Sequence, residues 1–101
     1  MLIVAAEAVV EPDAVETVRE ALRRMEEETR KEPGCLAYAF SVDVNDATMI
    51  RIFERWASMD ALAAHFKTPH MAAFAAALGS IEPKSVEVKA YEIAQEVPLP
   101  D

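Results

Sequence analysis

The sequence predicts an α+β fold of the ferredoxin-like βαββαβ plan, with a four-stranded antiparallel sheet and helices on one face, and three observations predict it. Apolar residues recur at every second position in some stretches and at every third or fourth position in the stretches between them. Pro12-Asp13, Glu32-Pro33-Gly34 and Thr68-Pro69 stand where the pattern changes. Only the polar link Asn45-Asp46 separates the second and third strand-like runs, so these pair as an antiparallel hairpin.

Leu2 to Val10 (LIVAAEAVV) is apolar on both alternating faces and reads as a strand buried on two sides, interrupted by Glu7. A carboxylate in such a run needs a partner, a proton or water. Glu7 is therefore either an ion-pair partner of Arg51 or Arg55 from a neighbouring strand, or a catalytic group. Pro12 and Asp13 open a helix running to about Lys31, with Val15, Val18, Leu22 and Met25 on its apolar stripe. Its outer face carries Glu16 with Arg19, and Glu20 with Arg23 and Arg24, an ordinary pairing of a solvated surface.

After the break at Glu32-Pro33-Gly34, Cys35 to Asp43 places Leu36, Tyr38, Phe40 and Val42 on one face. Cys35, among apolar neighbours and with no basic group beside it, reads as a structural thiol. Thr48 to Trp56 follows, with Ile50, Ile52, Glu54 and Trp56 on one face and Met49, Arg51, Phe53 and Arg55 on the other. Glu54 reads as an ion-pair partner of Arg55 or of a neighbouring strand. Ser58 then caps a short helix presenting Met59, Leu62 and Phe66, with His65 on the flank of that stripe. Thr68 with Pro69 caps a second, which presents Met71, Phe74, Ala75 and Leu78 and stops at Gly79. Ser85 to Ala94 is the last strand, and the proline-spaced tail places Val97 and Leu99 to lie across a partner subunit.

A chain of 101 residues is expected to form one domain spanning 1–101. Eighteen acidic against ten basic side chains give a net charge of −8, which repels nucleic-acid backbones and anionic lipid. No run approaches a membrane span, and nothing at the N-terminus reads as a signal peptide. Cys35 alone builds no disulfide framework and points to a reducing, cytoplasmic location. With two glycines the chain cannot spell a nucleotide-binding loop. No metal site is expected either, because the two histidines stand on different helical segments and neither has a carboxylate at i+4. Helices on one face leave the other face of the sheet bare, although strands one and three carry apolar residues on both faces. Pairing of two identical chains, sheet against sheet, is the simplest remedy, and a homodimer is expected.

At Glu32 to Leu36 (EPGCL), Glu54 to Trp56 (ERW) and Ala64 to Phe74 (AHFKTPHMAAF) the chain resembles the antibiotic biosynthesis monooxygenase family, and within it the small quinol monooxygenases. The N-terminal LIVAAE also matches, so the resemblance covers nearly the whole length. It implies a dimeric α+β barrel with a pocket in each subunit between sheet and helices. It also implies oxygenation of a quinol or polycyclic phenol by molecular oxygen, with no metal, flavin or other cofactor. The haem-degrading branch uses a strand-one Asn, a helical Trp and a later His; here the matching positions hold Glu7 and His65, and residues 72–77 contain no His, so haem is not implied.

Oxygenation without a cofactor requires a base that turns the substrate into an electron donor, and imidazole is the best available near neutral pH. His65, at helical spacing from Leu62 and Phe66, is aimed at the edge of the expected pocket and is the first choice, with Glu7 as its catalytic companion. His70 lies in the first turn of its helix, where the backbone dipole disfavours a charged ring, and is placed to bind a phenolic oxygen. Trp56, Tyr38, Phe40 and Phe74 are the expected aromatic wall for a planar substrate. Two other readings stay open: an isomerase using the same base, and a non-catalytic dimeric module that binds an aromatic metabolite.

Overall fold

The computed structural model describes residues 1–101, in the order β1 (Leu2–Val9), α1 (Ala14–Arg30), β2 (Cys35–Asp43), β3 (Asp46–Trp56), α2 (Met59–His65), α3 (Pro69–Ser80) and β4 (Ser85–Glu92). The strands form one sheet in the order β2-β3-β1-β4, every neighbouring pair antiparallel. This is the ferredoxin-like α+β plan that the sequence predicts. No helix is long and apolar enough to cross a membrane.

Register assigns each strand residue a face. Leu2, Val4, Ala6 and Ala8 of β1 are buried beneath the helices, opposite Trp56, Glu54, Ile52 and Ile50 of β3. Their alternates Ile3, Ala5, Glu7 and Val9 lie on the side that no helix covers. Leu2, Val4, Met25, Tyr38, Trp56, Leu62 and Phe74 form the main core, and Ala8, Val10, Ala14 and Ile50 a smaller one at the other end. Leu36 departs from the expected face of β2: a bulge between Cys35 and Ala37 takes it out of alternation, and it is exposed.

Helix α1 also guards the free edge of β2. Glu26 accepts from the backbone N–H of Phe40 at 2.8 Å, and Arg30 donates to the carbonyl of Tyr38 at 2.9 Å, so charged side chains occupy edge groups that a foreign strand would otherwise pair with. Ser58 and Thr68 cap α2 and α3 as expected, accepting from the N–H groups of Ala61 and Met71. Gly79 is not the stop of α3. The helix continues through Ser80, and the turn comes at Glu82, which takes φ 46 just before Pro83.

Candidate functional site

The site is built on the turn between α1 and β2. Gly34 takes φ +83, and a Cβ there would stand 2.6 Å from that of Ala61 on α2, so only glycine lets the turn lie against the helix. The turn is tied down by Ala57 N–H donating to the Gly34 carbonyl at 2.8 Å and Cys35 N–H donating to that of Glu32 at 3.1 Å. This carries Glu32, two residues past the end of α1, beneath the junction of α2 and α3.

There one oxygen of Glu32, Oε2, meets His65 Nδ1 at 2.7 Å and His70 Nε2 at 2.8 Å. A carboxylate oxygen only accepts, so both of these ring nitrogens carry protons, and each neutral ring keeps its other nitrogen as the acceptor. For His70 that is Nδ1. The three donor atoms lie within 4.8 Å of one another, a combination that can also hold a metal ion. His65, 2 % exposed, is held on its other sides by aromatic rings, with centroids at 4.8 Å (Trp56), 5.7 Å (Tyr38) and 5.6 Å (Phe66).

A second carboxylate lies behind this cluster. Glu54, 8 % exposed, forms no ion pair with Arg55; its Oε1 accepts from the indole N–H of Trp56 at 2.9 Å. The ion-pair expectation fails because alternation puts Arg55 on the opposite face of β3. Burial pushes the Glu54 carboxyl above its ordinary value, and Glu32 adds to the rise while Trp56 and His65 oppose it. Burial likewise pushes up the phenol of Tyr38 and the thiol of Cys35, with Glu54 contributing to both and Glu32 adding its repulsion. Neither hydroxyl nor thiol is thereby made a ready nucleophile.

Two grooves flank the core. One, of about 460 Å³, runs between α1 and α3 and is bordered by Met25, Pro69, His70, Ala73 and Phe74 with Arg24 and Glu28 at its charged margin. The other, of about 410 Å³, lies between α1 and the sheet, with Val15, Leu22, Phe40, Val42 and Ile50 as its apolar lining and Arg19 and Arg23 above. The rings of Phe40 and Phe74, 5.3 Å apart, stand between the two.

Of the residues expected in a site, the structure brings His65, His70, Trp56 and Tyr38 together around Glu32, and puts His70 and Phe74 on one groove and Phe40 on the other. His65 faces inward as expected but borders neither groove, because Trp56 and Tyr38 fill the space it was expected to look into. Glu7 is set apart: it lies on the uncovered face, 54 % exposed at its side chain and 3.7 Å from Arg51. It is no companion to His65, since the sheet separates them. Glu32 was read as part of a helix break and of the EPGCL resemblance, with no role in the site. The spacing argument that looked for i+4 carboxylates cannot find it, because it reaches the histidines from 33 and 38 residues away.

Comparison with known proteins agrees with this fold. The family model for antibiotic biosynthesis monooxygenase matches residues 1–77. An uncharacterized protein of Synechocystis sp. is 33 % identical over 94 residues; the match covers 93 % of this chain but 64 % of that relative's length. A crystal structure from Deinococcus radiodurans, named as a candidate antibiotic biosynthesis monooxygenase, superposes with a TM-score of 0.90 over the whole of both chains at 24 % identity, a likeness of fold. A Mycobacterium tuberculosis protein gives 0.84 at 29 % identity over 96 % of this chain and 98 % of its own. A further structure named antibiotic biosynthesis monooxygenase gives 0.80 at 31 % over 94 % of this chain and the whole of its own. The turn, strand end and helix start that build the Glu32 cluster all fall inside the matched segment, and the chain belongs to the antibiotic biosynthesis monooxygenase family.

Proposed function

We propose that the protein is a cofactor-independent monooxygenase that oxidises a quinol or related phenolic aromatic with molecular oxygen, and that His70 is its base. One observation carries the reading: a single carboxylate oxygen, on a side chain 11 % exposed, orients two imidazoles, and one of those imidazoles borders a groove with apolar walls. With Nε2–H fixed on Glu32, the His70 ring presents Nδ1 as acceptor, the arrangement of a general base held in one tautomer. His65 shares the same oxygen from the buried side and positions Glu32.

A planar ring in the groove would lie against Phe74 and Met25, with its phenolic O–H toward His70 and the guanidinium of Arg24 near the developing phenolate. Proton loss raises the electron density of the ring enough for one-electron transfer to oxygen. Recombination forms a C–O bond, and loss of water from the hydroperoxide completes the oxidation. For a hydroquinone the balance is one dihydroxyarene plus O2 giving one hydroxyquinone plus one water. The working form is a homodimer, supported by apolar side chains that water otherwise meets: Phe53 and Tyr91 on the uncovered face, and Val86 and Val88 on β4 beyond the reach of the helices. The free thiol of Cys35 fits a reducing, cytoplasmic setting.

Oxygen uptake with a panel of hydroquinones and anthrone-like phenols tests the function. His70→Ala is expected to lower kcat by about 10²–10⁴-fold with little change in stability, and Glu32→Gln to lower it less. Uptake that survives His70→Ala would remove the base. Turnover under strict anaerobiosis would replace the oxygenase by an isomerase, and tight binding of the panel without turnover would leave a binding module.

A further inference from the structure

We propose that Glu32 Oε2, His65 Nδ1 and His70 Nε2 form a binding site for one divalent first-row metal ion, for which Zn2+ is the probe, and that this ion and the two shared protons are alternative occupants of the same space. Two imidazoles and one carboxylate are a donor set that suits Zn2+ and its neighbours. The three atoms already converge within 4.8 Å, from the turn after α1, the end of α2 and the first turn of α3.

Tetrahedral ligands at about 2.0–2.2 Å from an ion stand roughly 3.3–3.6 Å from one another, so the two Glu32 contacts of 2.7 and 2.8 Å must open by roughly 0.5–0.9 Å. They are short because protons bridge them. His65 is fixed by the rings of Trp56 and Tyr38, whereas His70, on the groove wall with 17 % of its side chain exposed, has room to swing. Three protein ligands leave a fourth position, and the groove beside His70 supplies a route for the ion and a place for water. Charge favours the exchange, since Glu54 sits buried behind the cluster and Glu28 lines the groove. A dication would offset that negative field, and Arg24 is the one cation at the groove margin.

A consequence rests on the proposed base role of His70, whereas the binding itself does not. Once Nε2 holds the ion, the proton of the neutral ring sits on Nδ1, so the ring can no longer accept one from substrate. Zn2+ is then an inhibitor.

Isothermal titration of the full, tag-free, chelator-treated chain with Zn2+ tests the site. The expected result is one ion per chain, a Kd below about 10 μM, and proton release seen as a dependence on the buffer's ionisation heat. The same titration should raise Tm by several degrees, since the ion joins three segments that part on unfolding. His70→Ala, at the groove surface, and Glu32→Gln should each weaken binding by at least about tenfold. No saturable binding up to about 1 mM Zn2+, or equal affinity in wild type and both variants, would overturn the site. Zn2+ bound by the triad with undiminished oxygen uptake would keep the site and remove His70 as base.

Discussion

The two faces of the sheet carry the same problem and answer it in opposite ways. Glu54 and Glu7 each interrupt an apolar strand run, and each has an arginine close by in sequence or register. On the covered face Glu54 is 8 % exposed and is satisfied by an indole N–H; on the uncovered face Glu7 is 54 % exposed and lies 3.7 Å from Arg51. The difference is one residue of strand phase. It decides whether a carboxylate becomes part of a buried polar cluster or part of a solvated surface pair, and only the first is held rigidly enough to act on a neighbour.

The largest test of this contrast is in side-chain removal. Trp56 is fully buried, touches His65 and gives Glu54 its hydrogen bond; Trp56→Ala should cost about 3–5 kcal/mol in urea unfolding. Phe53, one strand phase away and 46 % exposed, should cost about 1 kcal/mol or less in an isolated chain. If two chains meet sheet to sheet, Phe53 is no longer a surface residue. Phe53→Glu should then convert the dimer seen by sedimentation into monomer, whereas an unchanged sedimentation profile would place the interface elsewhere.

A smaller effect separates the two glycines. Gly34→Ala forces an L side chain into positive φ and into Ala61, and should cost about 1–3 kcal/mol while loosening the turn that carries Glu32. Gly79→Ala meets open space within a helix and should stabilise by about 0.5–1 kcal/mol. A Gly34→Ala chain as stable as the Gly79→Ala chain would mean that the turn does not press on α2 as described.

What was legible in the sequence follows the range over which each feature is encoded. Element order, both helix caps and the hairpin depend on neighbours a few positions apart. Ser58 and Thr68-Pro69 spell the caps directly, and the hairpin link expected at Asn45-Asp46 lies one residue earlier, at Val44-Asn45, with Asp46 opening β3 opposite Asp43. Alternation also groups Glu54 with Trp56 and Phe53 with Arg55, but it does not say which group lies beneath the helices. The inward aim of His65 was also readable from its helical spacing. The partner of His65 was not. Glu32 looks like a helix-ending residue before Pro33-Gly34, and nothing local announces that the turn folds back beneath two helices still to come. Glu7 misled for the converse reason: it stands out within an apolar run, yet which face of β1 lies under the helices is fixed by the pairing with β3 and the packing of α1, not by the run itself.

The smallest effect is also the most specific, because it isolates the ionisation of Glu54. Its carboxyl is held above the ordinary value of 4.5, first by burial, so the folded chain keeps this proton where the unfolded chain has released it. Across that window the native state binds more protons, and stability falls as pH rises. Below 4.5 both states are protonated and the penalty vanishes; above the folded value it is fully present. Glu54→Gln retains an oxygen for Trp56 but cannot ionise, so the stability of the variant minus that of wild type should climb as pH rises from about 4.5 and then level off. Asp43 and Asp46, whose carboxyls are held low by Arg51 and Thr48 respectively, lose stabilisation as pH falls, and they cancel in the difference because both proteins contain them. A difference that stays flat from about pH 4 to 8 would mean that water or a cation reaches Glu54, and the covered face would then be no drier than the face that carries Glu7.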